Sequence, residues 1–186
     1  MSSEPIHGPA PASDRRPDDE GVDDRRSDDA RIDRFVDDDG RVVAFERYRP
    51  ERYGDVDAMY ADFAPAYRAQ GLPPATDAGR TEWLSVVLDE LSVLAVHDDA
   101  VVGHAVLVPD DADAHELGVF VHQDHQDAGV GTALLDATFE HARSLGVTDV
   151  WLTVAQSNHR ARHVYDRLGF TETSSKGRSV RYAKEL

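Results

Sequence analysis

The chain contains no cysteine, so it forms no disulfide, builds no thiolate metal site and uses no cysteine nucleophile. Lysine is nearly missing as well: only Lys176 and Lys184 occur among 186 residues, and the formal net charge is -16. A nucleic-acid binder needs a basic face, and a peripheral membrane protein often uses a polybasic patch; this composition argues against both partners. No run approaches the roughly 18 apolar residues of a membrane span. No apolar signal segment follows Met1, so a cytoplasmic protein is expected. No Gly-x-x-x-x-Gly-Lys-Ser/Thr occurs, which removes the P-loop nucleotide binders.

What remains is acidic and foldable. Most of the acid is Asp, and a surface rich in Asp and poor in Lys suits a protein that stays soluble in high salt. A salt-adapted source is the expectation, with an ordinary acidic cytosolic protein as the alternative. The sequence is 40% hydrophobic, enough for one domain with its own core. Residues 1–39 are dominated by Pro, Ser, Asp and Arg, and read as a disordered acidic tail that cannot bury enough surface to offset its ordering entropy. The folded domain is expected over residues 40–186.

Within that domain, residues 41–48 read as a strand. Residues 53–67 read as a helix disturbed by Pro65, and 79–91 as a second helix with Trp83 and Leu84 on its apolar face. Strands follow at 92–97, 101–108 and 114–122. Asp98-Asp99-Ala100 makes a hairpin, and Pro109 to Asp113 an acidic turn. A helix over 130–145 ends at Gly146. A strand over 149–155, a helix over 157–168 capped by Ser157 or Asn158, and strands at 169–173 and 179–184 complete the chain. Trp83 and Trp151 fit core faces. The order β-α-α-β-β-β-α-β-α-β-β predicts an α/β protein with one mixed, largely antiparallel twisted sheet of about seven strands and helices on both faces.

Two constellations carry chemistry. Gln126-Asp127-Ala128-Gly129-Val130-Gly131-Thr132 joins an apolar strand to a helix start. The first N–H groups of a helix lack internal partners and carry partial positive charge, so this turn suits a phosphate. Alone, two glycines fit a plain tight turn equally well, and a dinucleotide-binding turn would place three glycines in the first βαβ unit. The second constellation is Asn158, Ala161, Tyr165 and Leu168-Gly169-Phe170. Asn158 and Tyr165 lie seven residues apart on one helix face, which can look back at the helix start.

Together these residues resemble the GNAT N-acetyltransferase superfamily. Gln126-x-x-Gly129-x-Gly131 matches its Gln/Arg-x-x-Gly-x-Gly/Ala signature, and Asn158, Tyr165 and Leu168-Gly169-Phe170 follow in the usual order and spacing. The resemblance is strong over 115–170 and agrees only in element pattern before that. Asp127 and Ala128 depart from the frequent Gly-Arg, so an acid stands where a neutral residue is usual and a phosphate-binding cation is lost.

The resemblance implies acetyl-CoA as cosubstrate, an amine acceptor, and no metal. The pyrophosphate would rest on the main chain of Gln126, Asp127, Ala128, Gly129, Val130, Gly131 and Thr132, with the glycines admitting positive φ. Pantetheine would pair like a strand with Val119, Phe120 and Val121, and would be hydrogen-bonded by Asn158. The N–H of Val119 or Phe120 would polarise the thioester carbonyl. Tyr165 is expected as the acid for the leaving thiolate, and Glu116 as the base for direct transfer without a covalent intermediate. His122 and His125 are second candidates for the base. His104, His115, His122 and His125 suggest a metal site only weakly. A CoA-binding sensor module with weak turnover is the alternative, and a dinucleotide-binding protein a further rival. A monomer or homodimer is expected. The acceptor, whether a small amine, a peptide N-terminus or a protein lysine, would meet the first two helices, the Gly71-Leu72-Pro73-Pro74 loop and the final hairpin; Asp55, Asp57 and Asp62 there would favour a cation.

Overall fold

The computed structural model describes residues 31–68 and 72–186. The strands are β1 (Arg31–Val36), β2 (Val42–Arg47), β3 (Ser92–His97), β4 (Ala100–Pro109), β5 (His115–Val121), β6 (Asp149–Ala155), β7 (Thr171–Lys176) and β8 (Ser179–Glu185). The helices are α1 (Tyr53–Ala61), α2 (Asp77–Val87), α3 (Val130–Ser144) and α4 (His159–Arg167). The strands form one eight-stranded sheet in the order β1-β2-β3-β4-β5-β6-β8-β7, antiparallel at every junction except β5–β6. The expected mixed sheet with helices on both faces is therefore present.

One strand more than expected appears. β1 lies inside the stretch read as tail, where it pairs antiparallel with β2. Its sequence is polar because it is an edge strand, and only Ile32 and Phe35 pack inward. Most of that reading, residues 1–30, lies outside the described residues, as does Gly71 of the expected acceptor loop. The first helix stops at Ala61 instead of running to residue 67, since Pro65 starts a separate short turn. The second ends at Val87 because the Asp89 carboxylate accepts the Leu91 N–H at 2.8 Å, closing a turn that competes with the helix. The last hairpin is tighter than expected: β7 runs to Lys176, and its polar residues stay in the sheet through main-chain pairing with β8, helped by the Thr171 and Thr173 hydroxyls donating to the Ala183 and Arg181 carbonyls.

Side-chain alternation divides the sheet into two faces. On the front face, α1 and α2 bury Val56, Tyr60, Phe63 and Leu84 against Leu94 and Val106. On the back face, α3 and α4 cover Val93, Ala105, Leu107, Leu152 and Val154, with Leu134, Phe139 and Tyr165 between. Removing one of these fully buried side chains, such as Leu134, is expected to cost about 2–5 kcal/mol.

The central junction positions the site. β4 and β5 pair along their whole length, from Gly103↔Val121 to Pro109↔His115, and β6 and β8 pair from Asp149↔Glu185 to Ala155↔Ser179. β5 and β6 pair only at His115↔Val150 and Glu116↔Trp151. Beyond that apex the two strands diverge, leaving a wedge-shaped gap edged by residues 117–121 and 152–155. No strand among the described residues fills it. An unpaired inner edge of this kind is a template for one more extended chain.

Candidate active site

The wide end of the gap is built from main chain. After β5 the chain makes a turn in which Asp127 and Gly129 take left-handed φ of 65° and 84°. Gly129 is the N-cap of α3, and no side chain caps that helix. Its first turn carries no acid either; the Thr132 and Ala133 N–H groups return to the Gly129 carbonyl at 3.1 and 3.2 Å, while those of Val130 and Gly131 have no partner within the helix. Gly129 is required twice: by its φ, and by Phe35, whose Cζ would lie 3.1 Å from an added Cβ. Gly131, expected to need positive φ, is instead helical, and an added Cβ would meet only an ordinary 3.5 Å contact with Val121. The β1–β2 hairpin braces the turn from behind, with the Asp38 N–H donating to the Ala128 carbonyl at 3.1 Å. The Gln126 amide donates to the Val121 carbonyl at 2.8 Å, so its side chain shapes the turn while its main chain remains in the cradle.

Strand alternation decides which groups of β5 face the gap. The His122 N–H donates to Val102 of β4, so even-numbered residues turn their main chain to β4, and Leu117, Val119 and Val121 turn theirs to the gap. Val119 thus offers both N–H and C=O. Phe120, expected to pair through its main chain, offers its ring on the front face, edge-on to Tyr60 and Trp83 at 5.6 and 5.5 Å.

α4 forms the other wall. Asn158 is its N-cap, accepting the Ala161 N–H at 3.1 Å, which leaves its amide NH₂ for a ligand. Arg160 reaches back over the wide end and pairs with Asp127. Tyr165 is buried on the back face against Phe170 and Tyr182, and burial pushes its phenol up to about 12, which keeps it protonated at neutral pH.

The apex is built from side chains. Glu116 and Trp151, the last pair before the strands part, share the front face. The Trp151 indole N–H donates to the Asp110 carboxylate at 2.8 Å. The Arg181 guanidinium from β8 lies 3.6 Å from the Trp151 ring centroid and 4.0 Å from Asp110. Partial burial raises the Glu116 carboxyl above its ordinary value; Arg181 works against that rise and Asp110 adds to it. Asp110 is held low by the Ala112 N–H, Trp151, the Ala114 N–H and Arg181. A raised carboxylate beside a protein cleft suits a base.

The histidines are elsewhere. His122 lies six residues along β5 from Glu116, about 20 Å at an ordinary strand rise. It contacts Asp62 at 3.2 Å, and His125 stacks edge-on against both His97 and His122. They border a shallow cavity of about 290 Å³ on the front face, away from the apex. His125 is lowered by burial first, then by Arg41 and its histidine neighbours. His104 is wholly buried, bonded to the Tyr60 hydroxyl at 2.7 Å, and held neutral by burial at about 3. Among the described residues no group of three His, Asp or Glu side chains could hold a metal. The acids expected to attract a cationic acceptor are already engaged: Asp55 with Arg52, Asp57 with Arg80 and Asp62 with His122. Sequence reasoning missed Arg160, Asp110 and Arg181, and took Trp151 for a core residue although it lines the open face. The signal for Trp151 was its register with Glu116, which only the fold supplies.

The sequence model of the acetyltransferase (GNAT) family matches residues 56–170, more than half of the chain. A mycothiol acetyltransferase from Propionibacterium freudenreichii subsp. shermanii is 37% identical over 114 residues, 57% of this chain but only 36% of that protein's length. Among solved structures, the GNAT domain of a Streptomyces protein (S. lividans PAT) superposes with a TM-score of 0.72 at 18% identity, over 83% of this chain and 96% of that one. The Salmonella typhimurium protein yncA, solved with its cofactor acetyl-CoA, superposes with a TM-score of 0.62 at 18% identity, over 77% of this chain and 94% of that one. At such identities the structures speak for the fold.

Proposed function

We propose a function for this chain from one premise: it belongs to the acetyltransferase (GNAT) family. The function is transfer of an acetyl group from acetyl-CoA directly to an amine. The observation that carries this reading is the uncapped N-terminus of α3 opening onto the unpaired edge of β5. A pyrophosphate fits the first and an extended pantetheine arm fits the second. The acetyl-CoA bound in a structural neighbour of the same fold supports the choice of cosubstrate.

The residues divide the work. The N–H groups at the start of α3 hold the pyrophosphate, and the Asn158 amide and the Val119 main chain hold the arm. The Val119 N–H points into the gap and stabilises negative charge on the acyl oxygen as it develops. On the front face, Glu116 takes a proton from the incoming ammonium, directly or through water. The freed nitrogen attacks the thioester carbon, the C–N bond forms and the C–S bond breaks. On the back face, Tyr165 gives its phenolic proton to the departing sulfur; the positively charged acylated nitrogen then gives up its second proton through water, which restores the phenol, and Glu116 releases its proton to solvent. With no cysteine in the chain, a direct displacement is the simplest route.

The sensor-module alternative fits less well, since Glu116, a raised carboxylate, ends the paired part of β5 at the apex of the gap. Calorimetric titration with acetyl-CoA and with NAD tests the reading. Saturable binding of acetyl-CoA with NAD at least tenfold weaker is expected; preferential binding of NAD would overturn it.

A further inference from the structure

The cradle has an electrostatic deficit. Residues 126–132 contain no cation, and their single charge is the carboxylate of Asp127. A phosphate approaching α3 would therefore meet a like charge beside the N–H groups that are to hold it. Asp127 also has left-handed φ, a conformation that L side chains rarely adopt. The cation in contact with that carboxylate comes from across the gap: Arg160, in the first turn of α4.

The neighbouring alternative is already committed. Arg41 donates to the Asp124 carbonyl at 2.9 Å, but its guanidinium is bound to Asp37, whose side chain is fully buried, and to Asp39. Removing Arg41 from Asp37 would strand a buried charge. Arg160 and Asp127 are 62% and 70% exposed, so their pairing is weak and exchangeable. A guanidinium prefers a bidentate phosphate to an exposed carboxylate.

Resting on the acyl-CoA reading above, we propose that Arg160 is the phosphate-binding cation of this site. Asp127 is its placeholder: the carboxylate holds Arg160 beside the cradle and yields it to the pyrophosphate when the ligand enters. The exchange has three consequences. Arg160 supplies from α4 the charge that the turn lacks. The two walls of the gap are tied together in both states, by the carboxylate in one and by the phosphate in the other. And Asp127 opposes binding, so its removal strengthens the site.

Calorimetric titration of CoA, 3′-dephospho-CoA and pantetheine into wild type and variants tests this without turnover. Arg160→Gln is expected to weaken CoA and dephospho-CoA alike by about tenfold and leave pantetheine unchanged, while Arg160→Lys, which keeps the charge but loses the bidentate fork, recovers only part of that loss. Asp127→Asn keeps a residue that tolerates left-handed φ. At low salt it is expected to tighten CoA about threefold, the order of one unit charge several ångströms away, and the gain should vanish near 1 M salt. Thermal melts confirm that each variant is folded. The proposal is overturned if Arg160→Gln binds CoA within twofold of wild type, if only CoA with its 3′-phosphate is affected, or if Asp127→Asn weakens binding. Failure of wild type to bind CoA at all would instead overturn the acyl-CoA reading, and this inference with it.

Discussion

The two ends of the gap between β5 and β6 are built in opposite ways. The wide end is a main-chain device: a contiguous turn, Gly129 with left-handed φ and the open first turn of α3. The apex is a side-chain device, assembled by register from Asp110, Glu116, Trp151 and Arg181 on four separate pieces of chain. Binding that rests on main chain survives many substitutions and fails when conformation fails. Chemistry that rests on side chains fails at single atoms. The comparison therefore predicts that variants separate into those that lose affinity and those that lose turnover.

The largest effect is expected for Tyr165→Phe, which deletes one oxygen on the back face. Amine-dependent thiol release at saturating acetyl-CoA should fall about 10²–10⁴-fold, with acetyl-CoA affinity within twofold of wild type. A fall in affinity instead would move Tyr165 from the chemistry to the cradle. Glu116→Gln follows, with a loss of about 10²-fold in turnover and again no change in affinity. Gly129→Ala inverts the pattern. It forces an L side chain to left-handed φ against Phe35, costs about 1–2 kcal/mol of stability, and should raise the acetyl-CoA dissociation constant about tenfold or more while turnover at saturation changes little.

The pH profile sharpens the apex further. Only the deprotonated Glu116 accepts a proton, and burial raises its carboxyl, so the acidic limb of kcat/KM should lie above that of a free glutamate. Arg181→Ala removes the charge that favours the carboxylate and should move the limb to higher pH. Asp110→Asn removes a like charge and should move it to lower pH. The smallest effect is expected from Trp151→Phe, which keeps a ring beneath Arg181 but leaves Asp110 without its indole donor. It should cost about 1 kcal/mol in a denaturant melt and shift turnover severalfold at most.

The same contrast explains what the sequence disclosed. A main-chain device leaves a local trace, because only a few residue types suit a tight turn at a helix start; Gln126 to Gly131 and the N-cap Asn158 stand out in the sequence for that reason, whereas Tyr165 stands out only through its spacing from Asn158 in the family pattern. Of the apex only Glu116 stands out in the sequence, as a strand carboxylate; its companions leave no local trace. Trp151 sits in an apolar run, and nothing local tells that the side it faces is open rather than covered by a helix. Arg160 looks like any exposed helix cation until α4 is set across the gap from Asp127. β1 escaped notice because edge strands tolerate polar residues, and Phe35 finds its partners in Phe45 and Gly129, far along the chain. Asp55, Asp57 and Asp62 look like an acidic acceptor site in the sequence because Arg80 and His122, which contact Asp57 and Asp62, come from other elements.

The most direct test of the account is release of CoA thiol from acetyl-CoA by the wild-type protein, measured across small amines and peptides with free N-termini at low and at molar salt. Thiol release that depends on the amine and rises with pH through the Glu116 limb is the predicted result. Binding of acetyl-CoA with no amine-dependent release at any salt concentration would contradict transfer and leave a binding module in its place.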